Sequence, residues 1–156
     1  MKPPERRVEV ILSLAVVNPL VDVIRGLVTE LREAPPLPHA APESEPDFNA
    51  IWADELVTGR DRDVGVLLAI FDGDFSLEGR VCFDSENAEP FIRACSAVRL
   101  CLRDRRLAAV TDEVLESGDM DAAKLDVRTQ KAFLCYLFLA TLQELVIQRI
   151  EDGTIG

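Results

Sequence analysis

The stretch DVRTQKAFLCYLFLATLQELVIQRI, Asp126 to Ile150, decides the fold of this chain. Asp126 is a good N-cap residue and Gly153 follows the stretch, so the sequence predicts one long helix. The apolar run within it, residues 132–142, is shorter than the roughly 20 residues that a helix needs to cross a bilayer. We therefore expect a helix at the centre of a core rather than a membrane span.

The faces of this helix change along its length. Helical spacing gives a core stripe of Cys135, Phe138, Leu139, Leu142, Leu145 and Val146, and an opposite polar line of Thr141, Glu144 and Gln148. Leu134 and Leu137 occupy that polar line in the first half, so this half is apolar all round. It either runs through the centre of a bundle or meets another subunit, and a homodimer through Leu134 and Leu137 is one hypothesis.

Two polar residues lie close to the core stripe of the final helix. Gln143 is on its flank, where a buried amide needs a partner such as a backbone group or an arginine. Glu144 follows directly and also belongs to the polar line. We take Gln143 and Glu144 as the candidate buried polar residues of the chain.

The stretch CSAVRLCLRDRRL, Cys95 to Leu107, predicts an earlier helix whose core stripe contains Phe91, Cys95, Val98 and Leu102. Cys95 and Cys101 lie about 120° apart around its axis. They therefore cannot bind one metal ion together, nor form a disulfide while the helix persists. We interpret all four cysteines as reduced core side chains of a cytoplasmic protein: Cys82, Cys95, Cys101 and Cys135.

Three arginines of the same helix are predicted to form one row beside its apolar stripe, because Arg99, Arg103 and Arg106 stand at i, i+4 and i+7. Like charges in a line repel one another, so the row requires acidic neighbours or a partner. One interpretation pairs it with the acids just downstream, which are Asp112, Glu113, Glu116, Asp119 and Asp121. The other makes the row a docking face for an anionic ligand or an acidic protein surface.

The first half of the chain predicts a small sheet and further helices. Residues 7–17 are rich in Val, Ile and Leu and predict a strand, which we expect to pair with a second strand at Gly79 to Asp84. Asn18 and Pro19 are predicted to be the N-cap and first residue of an amphipathic helix. A proline-rich surface connector is predicted at residues 34–46.

Shorter helices complete the predicted architecture. They are expected at residues 48–57 and 61–71, and after Thr111, which is a good cap for a helix that ends near Gly118. The sequence thus predicts the all-α class, as a single-domain bundle of about six helices over residues 1–156 with a minor two-stranded β-sheet.

Charge and composition exclude several function classes. A net charge of -11 and a pI near 4.5 repel nucleic acid and anionic membranes, so we expect neither as a partner. The only histidine, His39, lies in the predicted connector, which excludes a multi-histidine metal site. No phosphate-binding glycine motif occurs, and we expect no metal and no cofactor.

The segments FDSENAEPFIRACSAVRLCLRDRRL, Phe83 to Leu107, and LFLATLQELV, Leu137 to Val146, resemble a bacterial family of unknown function. The family is found mainly in actinobacteria and is often encoded beside the adaptor of the Clp protease. The residues of this chain that match the sequence pattern of the family are Phe91, Arg93, Ala94, Arg99, Leu100, Leu142, Gln143 and Glu144. The resemblance implies a mostly helical cytoplasmic protein without an assigned enzymatic activity, with a regulatory or adaptor-like role.

Three hypotheses for the function follow. The leading one is a non-catalytic regulatory module that binds a protein partner through a face containing Arg99, Arg103 and Arg106. The second is an enzyme or small-ligand-binding protein with a buried polar pocket around Arg99 and Gln143. The third is the structural homodimer through the final helix.

Overall fold

The computed structural model describes residues 6–33 and 59–155, which are mainly helical and include one small sheet. The predicted all-α class with a minor two-stranded sheet is therefore confirmed. The predicted connector at residues 34–46 and the predicted helix at residues 48–57 lie outside the described residues.

Two strands and six helices are described. In chain order they are β1 (Val8–Ile11), α1 (Leu14–Glu33), α2 (residues 59–70), α3 (Asp74–Glu78), β2 (Arg80–Phe83), α4 (Ala88–Arg105), α5 (Asp112–Ser117) and α6 (Val127–Glu151). A single 3-10 turn, Ala122–Lys124, precedes α6 among these residues. The cap predictions at the last two helices are confirmed, because the Thr111 side chain accepts from the Val114 N–H and the Asp126 side chain from the Thr129 N–H.

The two strands pair antiparallel, with Val8 opposite Phe83 and Ile11 opposite Arg80. The pairing continues one step further, since the Leu12 N–H donates to the Gly79 carbonyl at 2.8 Å. Gly79 has φ +74°, and a Cβ atom there would lie 2.2 Å from the Leu12 carbonyl oxygen. Only glycine fits this junction between α3 and β2.

Helix α1 begins earlier than the sequence predicts. Residues 14–17 are helical rather than extended, and Pro19 lies inside the helix instead of at its first position. The physical reason is the spacing of the buried residues, which are Val17, Leu20, Val21, Ile24, Leu27 and Val28. Burying this stripe as far back as Val17 outweighs the cost of a proline within the helix.

Helix α6 packs against both α1 and α4 and is the central helix of the described structure. Cys135, Leu139 and Val146 are fully enclosed there. Leu137 lies over Gly118 at the end of α5, since a Cβ on that glycine would be 3.5 Å from Leu137 Cδ2. The apolar first half of α6 thus has neighbours within the chain. By length and composition α6 could also cross a membrane, but its apolar side chains contact these helices.

Candidate functional site

The contact between α4 and α6 is built around one arginine. Arg99 on α4 donates from Nη1 to Gln143 Oε1 at 2.7 Å and from Nη2 to the Tyr136 hydroxyl oxygen at 3.2 Å. Its guanidinium carbon also lies 4.6 Å from the centre of the Tyr136 ring, which places the cation over the ring face. Arg99 is half-buried between the two helices.

Gln143 fixes this arrangement from the α6 side. Its side chain is only 6% exposed, and its Nε2 donates to the Ile92 carbonyl at 3.0 Å and to Ser96 Oγ at 2.8 Å. The amide therefore uses both a backbone group and an arginine as partners, as the sequence predicts for a buried glutamine. Tyr136 was not singled out from the sequence. Its position two turns before Gln143 on the same flank of α6 is the signal that could have identified it.

The charge of Arg99 has no acidic partner among the described residues. Its hydrogen bonds go to a neutral amide and a neutral hydroxyl, and its Nε is buried without a hydrogen-bond partner. A guanidinium that is partly removed from water normally pairs with a carboxylate. The α4–α6 contact therefore retains a positive charge that the described fold does not neutralise.

The three predicted arginines do not form one row. Helix α4 ends at Arg105, so Arg106 is the C-cap residue and turns toward α1. There Arg106 and Arg105 both bind Glu30, with Arg105 Nη1 3.3 Å from Glu30 Oε2. Hydrogen bonding from Arg106 holds the pKa of the Glu30 carboxyl below its usual range. The partner of Arg106 is thus a distant residue on α1 and not one of the acids downstream of α4.

Arg103 remains on the outside of α4. Its only ion pair among the described residues is with the adjacent Asp104, at 3.7 Å between two exposed side chains. Ser96 and Leu100 share this side of the helix with Arg103, and the Leu100 side chain is 52% exposed. We call the surface formed by Ser96, Arg99, Leu100 and Arg103 the α4 edge.

Glu144 is not buried, contrary to the sequence-based expectation. It is exposed and accepts a hydrogen bond from Gln148 Nε2 at 3.2 Å. Helical geometry explains the difference, because Glu144 is rotated by about 100° from Gln143, away from α4. Only Gln143 of this predicted pair faces the core.

Two clefts that are lined by described residues contain neither Arg99 nor Gln143. The larger, of about 430 Å³, lies beside the sheet. Its arginines are neutralised locally, since Arg7 binds Glu9 at 3.3 Å and Arg80 binds Glu78 at 3.2 Å. The smaller, of about 170 Å³, lies between α1 and the start of α6. The predicted pocket around Arg99 and Gln143 is not one of these clefts.

A family model for a domain of unknown function, DUF2017, matches residues 19–150. The chain belongs to this family. The matched region includes the whole α4 edge and Gln143, so both lie within the DUF2017 domain. No curated protein and no solved structure matches the chain.

Three of the four cysteines of this DUF2017 domain are buried, and burial makes the thiols of Cys95, Cys101 and Cys135 poor nucleophiles. Burial raises the pKa of the Cys135 thiol to about 12, and it also raises the pKa of Cys95 and of Cys101. Cys95, Cys101 and Cys135 are free thiols, and the described residues contain no group of three or more His, Cys, Asp or Glu side chains that could hold a metal ion. Arg99 and Arg103 give the α4 edge two guanidinium groups, which suit the recognition of a carboxylate or phosphate anion.

Proposed function

We propose that this DUF2017 domain is a non-catalytic, regulatory or adaptor-like module of the bacterial cytoplasm, and that its α4 edge binds an acidic segment of a partner protein. One observation carries the proposal: Arg99 is held in place by Tyr136 and Gln143, yet its charge meets no carboxylate in the described fold. Such an arginine is preorganised to receive a carboxylate from outside.

The neighbours of Arg99 suit a protein partner. Arg103 adds a second charge one helical turn away, and Leu100 supplies an exposed apolar surface beside Arg103. Arginine is enriched among the residues that carry most binding energy in protein interfaces, and the buried centre of an interface is more apolar than its rim. We therefore expect a partner segment with an acidic residue next to an apolar one.

The overall charge of the chain makes this local surface selective. A net charge of -11 repels an acidic partner over most of the protein. An acidic segment is attracted only where cations gather, so electrostatics restrict the approach to the α4 edge and to the few similar places. Charge of this kind affects association rate and specificity more than total affinity.

The alternative of a small-ligand or enzyme pocket at Arg99 and Gln143 has less support. Both donors of the Gln143 amide and its oxygen are engaged within the fold, so little of this side chain remains for a ligand. The homodimer hypothesis loses one of its two residues, because Leu137 packs on Gly118. Leu134 stays 42% exposed, and light scattering would detect a dimer that uses it.

The test is the affinity for a partner that is first captured from native lysate and identified, then purified. We expect Arg103→Glu and Leu100→Ser each to weaken binding at least about tenfold, which corresponds to about 1.4 kcal/mol. The matched controls are Arg149→Glu and Leu77→Ser, which change an equally exposed arginine and an exposed leucine elsewhere. Equal binding by all four variants would disprove docking at the α4 edge.

A further inference from the structure

The smaller cleft combines an apolar floor with a cationic rim. Leu27 of α1 and Ala132 of α6 are buried beneath it, and Arg106, Arg128 and Lys131 line it together with one carboxylate, that of Asp22. Gly26 lies in its wall, so we call it the Gly26 cleft. It is separate from the α4 edge, with which it shares no residue.

The glycine in this cleft is not required by the fold. Gly26 lies in the interior of α1, where glycine is less favourable than alanine. Outside the surrounding turn of α1, a Cβ atom there would meet no atom of the described residues within 4 Å, and the backbone is not left-handed at this residue. Neither packing nor backbone conformation explains the glycine, whereas the open space it leaves forms part of the cleft.

Two of the cations at the rim lie near a helix end that disfavours positive charge. Arg128 and Lys131 lie in the first turns of α6, where the helix dipole favours negative side chains, and both are exposed. Neither forms an ion pair within the described part of the chain, although the protein has 28 acidic residues and only 17 basic ones. Arg106 is fixed beside them by its contact with Glu30.

We propose that the Gly26 cleft binds a small organic anion, a carboxylate or phosphate monoester whose short apolar part rests on Leu27 and Ala132. Its charged group contacts Arg128 and Lys131, with Arg106 as the third cation. The volume of about 170 Å³ is well below the ~300–1,000 Å³ of clefts that bind drug-sized molecules, which limits the ligand to a short-chain anion. Asp22 opposes an anion and therefore limits its affinity.

The test titrates the intact protein with pentanoate, with butyl phosphate and with neutral 1-pentanol, while NMR follows the backbone amides of Gly26, Leu27 and Ala132. We expect at least one anion to shift these amides saturably with Kd of about 1 mM or tighter. The anion that binds with the lower Kd shows whether the cleft prefers a carboxylate or a phosphate. The double variant Arg128→Gln/Lys131→Gln should weaken binding at least about tenfold, and Asp22→Asn should strengthen it.

Gly26→Ala separates a binding role from a structural one. We expect this variant to raise Tm, because alanine is the better helix residue, and yet to lose anion binding, because its methyl group enters the cleft. Gly65→Ala in α2 is the matched control, since its Cβ also meets nothing within 4 Å and it lies outside the cleft. The proposal is overturned if neither anion saturates, if 1-pentanol shifts the same amides equally, or if Gly26→Ala binds like Gly65→Ala.

Discussion

Gln143 is the residue on which the polar contact between α4 and α6 depends. Its oxygen accepts from Arg99, and its nitrogen donates to Ile92 and Ser96 on the same helix. Because Gln143 is buried and Arg99 is half-buried, water replaces these bonds only in part when the amide is removed. The same side chain therefore stabilises the fold and holds Arg99 in position at the α4 edge.

We predict that Gln143→Leu lowers the free energy of unfolding by about 1–3 kcal/mol, because it leaves buried polar groups of α4 without partners. Chemical denaturation measures the change. The control is Gln148→Leu on the same helix, where the glutamine is exposed and bonds only to Glu144, and we expect a change within about 0.5 kcal/mol. A similar loss in both variants would contradict the role given to Gln143.

The buried thiol of Cys135 predicts a loss of stability in alkali. Its pKa is raised from an ordinary value of 9.0 to about 12, so the unfolded chain releases this proton at lower pH than the folded protein. The contribution of the protonated thiol to the free energy of unfolding is complete below pH 9.0. It is lost as the pH rises toward 12, at about 1.4 kcal/mol per pH unit. Across this pH range, the free energy of unfolding should fall less steeply with pH in Cys135→Ala than in the unmodified protein. Identical slopes would contradict the burial of the thiol.

At the scale of elements, two sequence signals around the start of α1 favoured different structures. Asn18 and Pro19 have the composition of a helix start, and the preceding Val and Ile residues favour a strand. The apolar spacing from Val17 to Val28 nevertheless indicates one continuous helix, and burial of that stripe decided the outcome. The strand was therefore limited to Val8–Ile11, although its predicted pairing with β2 is confirmed.

We predict that Pro19→Ala raises the free energy of unfolding by about 1–3 kcal/mol, because it restores a backbone donor within α1 and removes the ring from the preceding turn. Pro90→Ala is the control. Pro90 lies in the first turn of α4, where the backbone N–H has no partner within the helix, so its replacement should change stability by less than about 0.5 kcal/mol. Equal stabilisation by the two variants would argue against a strained proline in α1.

Several of the described arginines join separate parts of the molecule. Arg93 joins α4 to Asp63 of α2 at 3.0 Å, Arg25 joins α1 to Asp72 at 3.1 Å, and Glu30 receives Arg105 and Arg106. Among the remaining cations, Arg99 and Arg103 lie at the α4 edge, and Arg128 and Lys131 lie at the Gly26 cleft. In a chain of net charge -11, two such surfaces are the places where an acidic partner or an anion is attracted.

The sequence could predict the parts of this structure that depend on local chemistry. Helix caps at Thr111 and Asp126, the core stripe from Phe91 to Leu102 and the mainly helical class are all confirmed. The partner of Arg105 and Arg106 could not be predicted, because Glu30 is brought to the end of α4 by tertiary packing across a long stretch of chain. Periodicity gives the side of a helix on which a residue lies, but not which other helix it meets.

Photocrosslinking from the α4 edge tests the proposed docking function most directly. A benzophenone amino acid placed at Leu100 in native cells should crosslink to one partner, and the adduct should disappear when Arg103→Glu is added. The same probe at the more exposed Leu77 is the control and should give no such adduct. Adducts that are identical from both positions, or that persist with Arg103→Glu, would contradict the proposal that the α4 edge binds an acidic partner.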